Sequence, residues 1–206
     1  MIRKLFLALL ASLLVGCSSA GPRFGRHLPA NEQEFDEMGA AMARLDSDQD
    51  PWRRLDDLVG QWNISGSYQP WDGATDQPVN PACTVRWIVG RRCLELRYRY
   101  TVPGGPIEDL YLLRWNPLGG CYEIQIYSSG WTIPNGGTGH WDEQSASLEF
   151  VLETINPANS LPIRTLYRLE ALSENAHTWR QYRSASDGTL TPFFTMHATR
   201  VDPVTP

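Results

Sequence analysis

The sequence predicts an all-β fold, an antiparallel up-and-down β-barrel of about ten strands preceded by one or two short helices. From residue 58 onward, apolar and polar side chains alternate in short segments, and this period of two is typical of strands with one buried face. Turn residues separate the segments at intervals of roughly 10–15 residues, without a helical pattern between them. Such a succession of short strands indicates a barrel or a sandwich.

The first strand shows the pattern most clearly. Between residues 60 and 68, polar residues alternate strictly with an inward set that consists of Trp62, Ile64, Gly66 and Tyr68. With 206 residues and 42% hydrophobic content, the chain can bury one sizeable core. We therefore expect a single barrel domain at residues 58–203.

Two hairpins define the expected strand register. A two-residue turn at positions 90–91 places Arg86 opposite Glu95, and the next hairpin places Arg99 opposite Glu108. Each cross-strand pair of opposite charges contributes only about 0.2–1 kcal/mol. Because one simple register produces both pairs, they are good evidence for that register, although they add little to the stability of the protein.

One segment departs from the alternation. Residues 131–141 contain Pro134 and the glycine-rich run 135–139. Proline and glycine weaken the interior of a strand, so we expect a bulged edge or a mobile loop at the mouth of a cavity. The run is not a phosphate-binding loop, because no Gly-Lys-Ser/Thr follows it.

The N-terminus predicts export and lipidation. A basic start followed by about a dozen apolar or small residues indicates a signal peptide at residues 1–16. Residues 14–17, Leu-Val-Gly-Cys, resemble the bacterial lipobox, which implies that Cys17 is acylated with chains such as palmitate and anchors the protein in a membrane. Ser18 is not the aspartate of the inner-membrane retention signal. We expect an outer-membrane lipoprotein facing the periplasm, with a tether at residues 17–30.

A short helical lead-in is expected at residues 31–57. Asn31 and Glu34 have the spacing of a capping pair, and apolar residues recur at helical intervals at Phe35, Met38, Met42 and Leu45. Pro51 suits the first turn of a second short helix. The acidic residues 46–50 have the spacing of a calcium loop, but Pro51 stands where such a loop needs glycine, so we expect no metal there.

The composition excludes several classes of function. The formal charge is −5, and without the signal peptide 16 basic residues remain against 23 acidic ones, a charge of −7. Such an acidic protein is a poor nucleic-acid binder. Lys4 is the only lysine and leaves with the signal peptide, which excludes covalent catalysis by a lysine amine.

The cysteines of the mature chain do not pair completely. Besides Cys17, the chain holds Cys83, Cys93 and Cys121, so at least one of these three is unpaired. Alternation places Cys83 on the inner face and Cys93 on the outer face, which disfavours a bond between those two.

The sequence resembles two kinds of barrel protein. The run Gly-Gln-Trp at positions 60–62, with Arg200 at the end of the last strand, is similar to the lipocalin and calycin pattern, in which the arginine lies over the tryptophan and closes the barrel. Residues 55–201 more closely resemble a bacterial family known only as a domain of unknown function, family 1579. The motifs are Leu-x-x-Leu-Val-Gly-x-Trp at 55–62, Arg-Trp-Ile-Val-Gly-Arg-Arg at 86–92, Gly-x-Trp-Asp at 139–142 and Asp-Gly at 187–188. The resemblance implies a barrel and a structural role for Trp62 and Arg200, but no activity.

We expect no catalytic, metal or cofactor site. The four histidines show no metal-ligand spacing. His197 resembles by position the haem-ligating histidine of nitrobindin-type barrels, but its alternation with Met196 and Ala198 directs it to solvent. Cys83 resembles the nucleophile of some lipocalin-like enzymes, but no histidine is placed to activate it.

Aromatic side chains dominate the predicted inner face. They can fill the barrel or line a pocket for a flat or acyl ligand. The candidate pocket residues are Tyr68, Trp87, Tyr98, Tyr100, Tyr122, Phe150, Tyr167 and Trp179.

Two functions remain open. The first, which we favour, is non-enzymatic binding of a small apolar or amphiphilic ligand, and it requires a cavity of about 300 Å³. The alternative is an envelope interaction or structural module with a filled barrel and no ligand, which acts through its surface and through the apolar side of the helix at residues 31–45.

Overall fold

The computed structural model describes residues 29–45, 50–69, 73–102, 104–184 and 189–201. The chain divides into two compact units, Met1–Asp48 and Gln49–Pro206. The predicted signal peptide, Cys17 and residues 46–49 of the acidic run lie outside the described residues.

The first unit contains the helix α1 (Glu32–Leu45). Asn31 caps it, because its Oδ1 accepts a hydrogen bond of 2.9 Å from the Glu34 N–H. The Glu34 carboxylate in turn accepts a bond of 2.8 Å from the Ala30 N–H. The helix therefore starts where the capping pair predicts. No helix in the described ranges is long and apolar enough to cross a membrane.

The second unit begins with a short helix, α2 (Asp50–Arg53), and a 3-10 turn (Asp56–Leu58). Eleven strands follow in the described residues: β1 (Gly60–Tyr68), β2 (Gln77–Val79), β3 (Ala82–Ile88), β4 (Cys93–Val102), β5 (Gly105–Asn116), β6 (Cys121–Ser128), β7 (Trp131–Asp142), β8 (Ser147–Ile155), β9 (Pro162–Glu170), β10 (Ala176–Ser184) and β11 (Leu190–Arg200). All of their pairings are antiparallel.

Ten of the described strands close into a barrel. Strands β3 to β11 pair in chain order, and β1 pairs with β3 on one side and with β11 on the other. At the β1–β11 seam, Trp62 faces Arg200. The short β2 pairs with the far end of β1, beyond the part that pairs with β3. The predicted fold class is therefore confirmed.

The predicted hairpin register is confirmed as well. Arg86 pairs with Glu95, and Arg99 pairs with Glu108. Arg86 Nε lies 3.0 Å from Glu95 Oε1. Arg97 contacts both carboxylates, so the outer face of β3, β4 and β5 carries a continuous row of alternating charges.

Large side chains fill the barrel interior. Those that are at most 1% exposed include Trp62, Trp179, Tyr98, Tyr122 and Phe150. Full burial of a large apolar side chain contributes about 1.5–3 kcal/mol, so these residues supply much of the hydrophobic stabilisation. The interior is therefore a packed core along most of its length.

Residues 131–141 were expected to form a bulged edge or a mobile loop; the bulge is confirmed, but the segment is not a loop, and from residue 136 onward it is not a sheet edge. They lie within the continuous strand β7, which pairs with β6 and with β8. Between the pairs Ile126–Asn135 and Ser128–Trp131, β7 spans four residues and β6 only two, so the bulge lies on β7 beside Pro134. A Cβ on Gly137 would lie 2.0 Å from the carbonyl oxygen of Val151. Glycine here does not interrupt the strand, because its missing side chain is what lets β7 approach β8.

One end of the barrel, the capped end, is covered by the segment that runs from α2 to the start of β1. Leu55 and Leu58 are 1% and 0% exposed there. The Trp62 indole donates to the Leu58 carbonyl at 2.8 Å, and the Tyr122 hydroxyl donates to the Pro51 carbonyl at 2.9 Å. Two of the largest interior side chains therefore have their polar atoms satisfied by the cap.

Candidate functional site: a tyrosine recess at the open end

The opposite end of the barrel, the open end, is where β1, β4, β6, β8 and β10 finish. In the described part of the second unit, both helical segments lie before β1, at the capped end. Just inside the open end lies a cavity of about 10 Å³, the tyrosine recess. It is lined by Val79, Pro81, Tyr98, Tyr100, Asp109, Tyr111, Phe194 and Met196. A space of this size accommodates about one water-sized group.

Asp109 is the one carboxylate among the described residues that line the recess. It lies on the inner face of β5, where it pairs with Tyr98 of β4. The Tyr100 hydroxyl donates to its Oδ2 at 2.9 Å. Its Oδ1 is buried and has no hydrogen-bond partner among the described atoms. Because an unpaired buried acceptor costs free energy, a hydrogen-bond donor that entered the recess would be stabilised by this oxygen.

The Tyr98 hydroxyl is a second buried polar group in the recess. Tyr98 is 1% exposed, and its hydroxyl has no hydrogen-bond partner in the described ranges. The nearby Cys83 thiol contributes to the shift in the pKa of Tyr98. The thiol and the hydroxyl do not, however, have the distance and angles of a hydrogen bond. A thiol is in any case a weak partner. Burial raises the pKa of Tyr98 well above its usual value, so the hydroxyl stays protonated and can both donate and accept.

Two more tyrosines extend the cluster into the barrel. The Tyr111 ring lies 4.9 Å from the Tyr98 ring, and the Tyr111 hydroxyl hydrogen-bonds to Tyr167. Burial raises the pKa of Tyr111 and of Tyr167, and the nearby charge of Asp109 adds to both shifts. The cluster thus offers neutral hydroxyl groups and one carboxylate, and none of its described lining residues is cationic.

Exposed apolar side chains lie on one side of the open end, on β7, β8, the β8–β9 loop and β11. Four of them, here called the apolar rim, are between 42% and 60% exposed: Trp131, Ile155, Leu161 and Leu190. They lie at the starts or ends of strands, or in the loop that joins β8 to β9. Large exposed apolar side chains gathered at one end of a domain are typical of a contact or ligand-binding surface.

The structure distributes the predicted pocket residues over the whole barrel. Tyr98 and Tyr100 line the recess, and Tyr68 pairs with the recess residue Phe194 across the seam. Trp87 is far from them, near the capped end, where its indole donates to Asp56 at 2.8 Å. The other candidates are Tyr122 at the cap, Tyr167 beside Tyr111, and Phe150 and Trp179 in the packed core.

Asp109 was not among the predicted site residues. Ile107, Asp109 and Tyr111 fall on one face of β5, so the alternation placed this carboxylate inside the barrel. The position of a carboxylate among inward-facing residues could have marked Asp109 as a candidate site residue, because buried carboxylates are rare unless they are paired.

The burial of His177 was not predicted either. This residue is 2% exposed, and its ring lies 4.3 Å from the Trp62 ring. Neither ring nitrogen has a partner among the described atoms. Burial lowers the pKa of His177 to about 3, and the charge of Arg200 adds to that effect. His177 lies two residues before the buried Trp179 on β10, so the alternation of the strand indicated that it faces inward. His197, in contrast, is exposed on the outer face, as predicted.

The described residues show no obvious reactive centre. No disulfide bond joins Cys83, Cys93 or Cys121 to another described cysteine. Burial raises the pKa of Cys83 to about 12, so this thiol is not a nucleophile at neutral pH. In the described ranges, no three histidine, cysteine or acidic side chains converge to hold a metal ion.

These features define a class of protein, a closed ten-stranded antiparallel barrel with a packed interior and a small polar recess at one end. Residues 47–200 match the family described as "Protein of unknown function (DUF1579)", and the chain belongs to this family. Among solved structures it is similar to the crystal structure of Rv2717c from M. tuberculosis, at 16% identity and a TM-score of 0.53, over 73% of this chain and 96% of that chain. This likeness supports the barrel fold alone. No curated protein sequence matches the chain.

Proposed function

We propose that the protein is a non-enzymatic lipoprotein of the bacterial outer membrane that binds the polar end of a small amphiphilic ligand at the open end of its barrel. The observation that carries this proposal is that two residues lining the recess each hold a buried polar atom without a partner, the Tyr98 hydroxyl and Asp109 Oδ1. A polar head group satisfies these atoms, and the apolar rim contacts the rest of the ligand.

The size of the recess limits how such a ligand binds. A site that encloses a whole small molecule has a volume of about 300 Å³ or more. The recess has about 10 Å³, because aromatic side chains fill the remainder of the described barrel, so the enclosed cavity of about 300 Å³ that the sequence-based expectation required is not found in the described residues. The ligand is therefore held by its head group, and its apolar part stays at the rim.

The predicted anchor is consistent with this function. Acylation at Cys17 holds the barrel at a membrane surface, where amphiphilic molecules are abundant. The support for this step is the lipobox-like sequence at residues 14–17. Metabolic labelling with palmitate tests it: the wild-type chain should incorporate label, and C17S should not.

Native mass spectrometry of protein purified from its own envelope tests the binding function. We expect a reproducible added mass on the wild-type barrel that is lost or strongly reduced in Asp109→Asn. The matched control is Asp76→Asn, which makes the same chemical change at an exposed residue near the open end. Retention of the added mass by Asp109→Asn would contradict binding at the recess.

The filled interior favours one alternative, an envelope interaction or structural module that binds no small molecule. The specific observation is that large interior side chains such as Trp179 and Phe150 are at most 1% exposed. The same experiment separates the two functions. Repeated absence of any added mass from the wild-type protein would favour the module.

A further inference from the structure

We infer that the head group accepted by the tyrosine recess is a primary ammonium, bound between the carboxylate of Asp109 and the surrounding tyrosines. This inference rests on the proposed function and names its ligand class. Neither the fold nor the family assigns such a ligand.

The charge of the recess selects a cation. A carboxylate oxygen only accepts hydrogen bonds, and the unpaired Oδ1 of Asp109 therefore requires a donor. No described residue that lines the recess is an arginine, a lysine or a histidine. An anionic head group would consequently be repelled by Asp109, whereas an ammonium would form a charge-assisted hydrogen bond with it.

The aromatic lining favours the same choice. Four rings line the recess together with Asp109: Tyr98, Tyr100, Tyr111 and Phe194. A cation within about 6 Å of such rings is attracted electrostatically by their quadrupoles. A neutral hydroxyl head group gains neither this attraction nor the ion pair, so it binds more weakly.

The size of the recess then selects the type of ammonium. A cavity of about 10 Å³ accepts one water-sized group. The –NH₃⁺ group of a primary amine has about this size and carries three donors, which suit Asp109 Oδ1 and the Tyr98 hydroxyl. A trimethylammonium group is several times larger and has no N–H donor, so it fits neither the volume nor the unpaired acceptors.

The first carbon atoms of the ligand have a suitable environment. Val79 and Met196 provide apolar walls beside Asp109.

Two sources of ligand share this chemistry, a free alkylamine and the ethanolamine head group of a phospholipid. Both present a primary ammonium on a short apolar or zwitterionic stem.

Methyl NMR of Met196 tests the inference, because this side chain lines the recess. The protein is the mature chain from residue 17 onward carrying Cys17→Ser, so that neither an acyl chain nor the apolar signal peptide competes. Met38 and Met42 lie on α1, and their methyl signals are followed separately so that any binding of a probe to this helix is recognised. The probes are octylammonium, octyltrimethylammonium, octanol, octanoate and dihexanoyl phosphatidylethanolamine.

We expect octylammonium to shift the Met196 methyl signal saturably, with at least tenfold weaker binding for octyltrimethylammonium and octanol, and no binding of octanoate. Asp109→Asn should weaken octylammonium binding at least tenfold, and Asp76→Asn should leave it unchanged. Tyr98→Phe keeps the ring, removes the free hydroxyl and should weaken binding several-fold. If phosphatidylethanolamine binds as well as octylammonium, a lipid head group is an accepted source. If only octylammonium binds, the source is a free amine.

The possible failures are distinguishable. Equal binding of octanol and octylammonium, with no effect of Asp109→Asn, would overturn the ammonium inference and leave amphiphile binding intact. If no probe shifts the Met196 signal, both the inference and the proposed function are wrong. A Met196 signal that remains dispersed in Asp109→Asn shows that the variant is folded, so its loss of binding counts as a test.

Discussion

The guanidinium carbon of Arg200 lies 4.4 Å from the centre of the Trp62 ring, and the two residues are register partners across the seam between the first and last strands. The same guanidinium donates to the carbonyls of Val59 at 2.7 Å, of Asp57 at 2.9 Å and of Glu174. One side chain thus ties the cap, β1 and the loop before β10 together. A Cβ on residue 60 would lie 2.1 Å from Arg200 Nη1, which explains the glycine there.

Arg200→Ala should destabilise the protein by about 2–4 kcal/mol, because it removes three charge-assisted hydrogen bonds and the cation–π contact. Arg200→Lys keeps the charge but loses the planar fork, so we expect about half of that loss. Urea unfolding measures both. The control Arg164→Ala removes an exposed ion pair with Glu153 and should cost less than about 1 kcal/mol. Equal effects at positions 200 and 164 would contradict the closure role.

His177 should make stability depend on pH. Its pKa in the folded state, about 3, lies below the value of about 6.5 expected in the unfolded chain. The folded state therefore binds fewer protons than the unfolded state. The stabilisation that neutral, buried His177 provides is fully present above pH 6.5 and is lost as the pH falls towards 3. The loss amounts to about 1.4 kcal/mol per pH unit at most.

His177→Phe keeps an aromatic ring against Trp62 and removes the titrating group. We expect the decrease in unfolding free energy between pH 6.5 and pH 4.5 to be smaller by about 2 kcal/mol in this variant. His140→Phe, at an exposed position, should keep the wild-type pH profile. An unchanged profile in His177→Phe would show that His177 does not control the acid sensitivity.

Replacing Val89 by asparagine should increase the free energy of unfolding. Val89 has a φ of +50° and is 71% exposed in the turn between β3 and β4. A β-branched residue is strained in this left-handed conformation, whereas asparagine tolerates it. Val89→Asn should therefore stabilise the protein by about 0.5–1 kcal/mol in thermal or urea unfolding. Val151→Asn, at an exposed strand position, should give no gain, and a similar gain there would refute the strain argument.

Gly137 should not tolerate a methyl group. A Cβ there would lie 2.0 Å from the Val151 carbonyl oxygen and 2.9 Å from the Leu152 α-carbon, both of which are backbone atoms of β8. Because backbone atoms cannot move aside cheaply, Gly137→Ala should cost about 1–3 kcal/mol or prevent β7 from pairing. Gly104→Ala meets no atom within 4 Å and is the matched control. Hydrogen exchange of the β7 amides would locate the effect, and unaltered protection would count against this packing.

The hairpins were predictable because each depends on local information, whereas the seam was predicted from the resemblance of residues 60–62 and Arg200 to the lipocalin and calycin pattern. Alternation assigns a face to every strand residue, and the charged pairs Arg86–Glu95 and Arg99–Glu108 allow a single register. The continuity of β7 was not predictable in this way. Its glycines are explained only by the backbone of β8, which is near them in space, so their local tendency to break strands was misleading.

The tyrosine recess, too, could be predicted only in part from local sequence information. Its predicted members, Tyr98 and Tyr100, were recognisable as inward aromatics, and so in principle was Asp109. Alternation does not tell which inward residues lie in the core and which lie at an open end. Trp87 was for that reason grouped with residues from the other end of the barrel.

By itself the sequence determined the class of fold and the face of each strand, because these follow from a period of two and from pairing between neighbours, and its resemblance to the lipocalin and calycin pattern indicated the seam between Trp62 and Arg200. Only the tertiary structure decided that the interior is filled, that about 10 Å³ remains at one end, and that Asp109 and Tyr98, each with one unpaired buried atom, both line that space. The reason is that a cavity is the volume left over when side chains from ten strands pack together. No single segment of the chain contains that information.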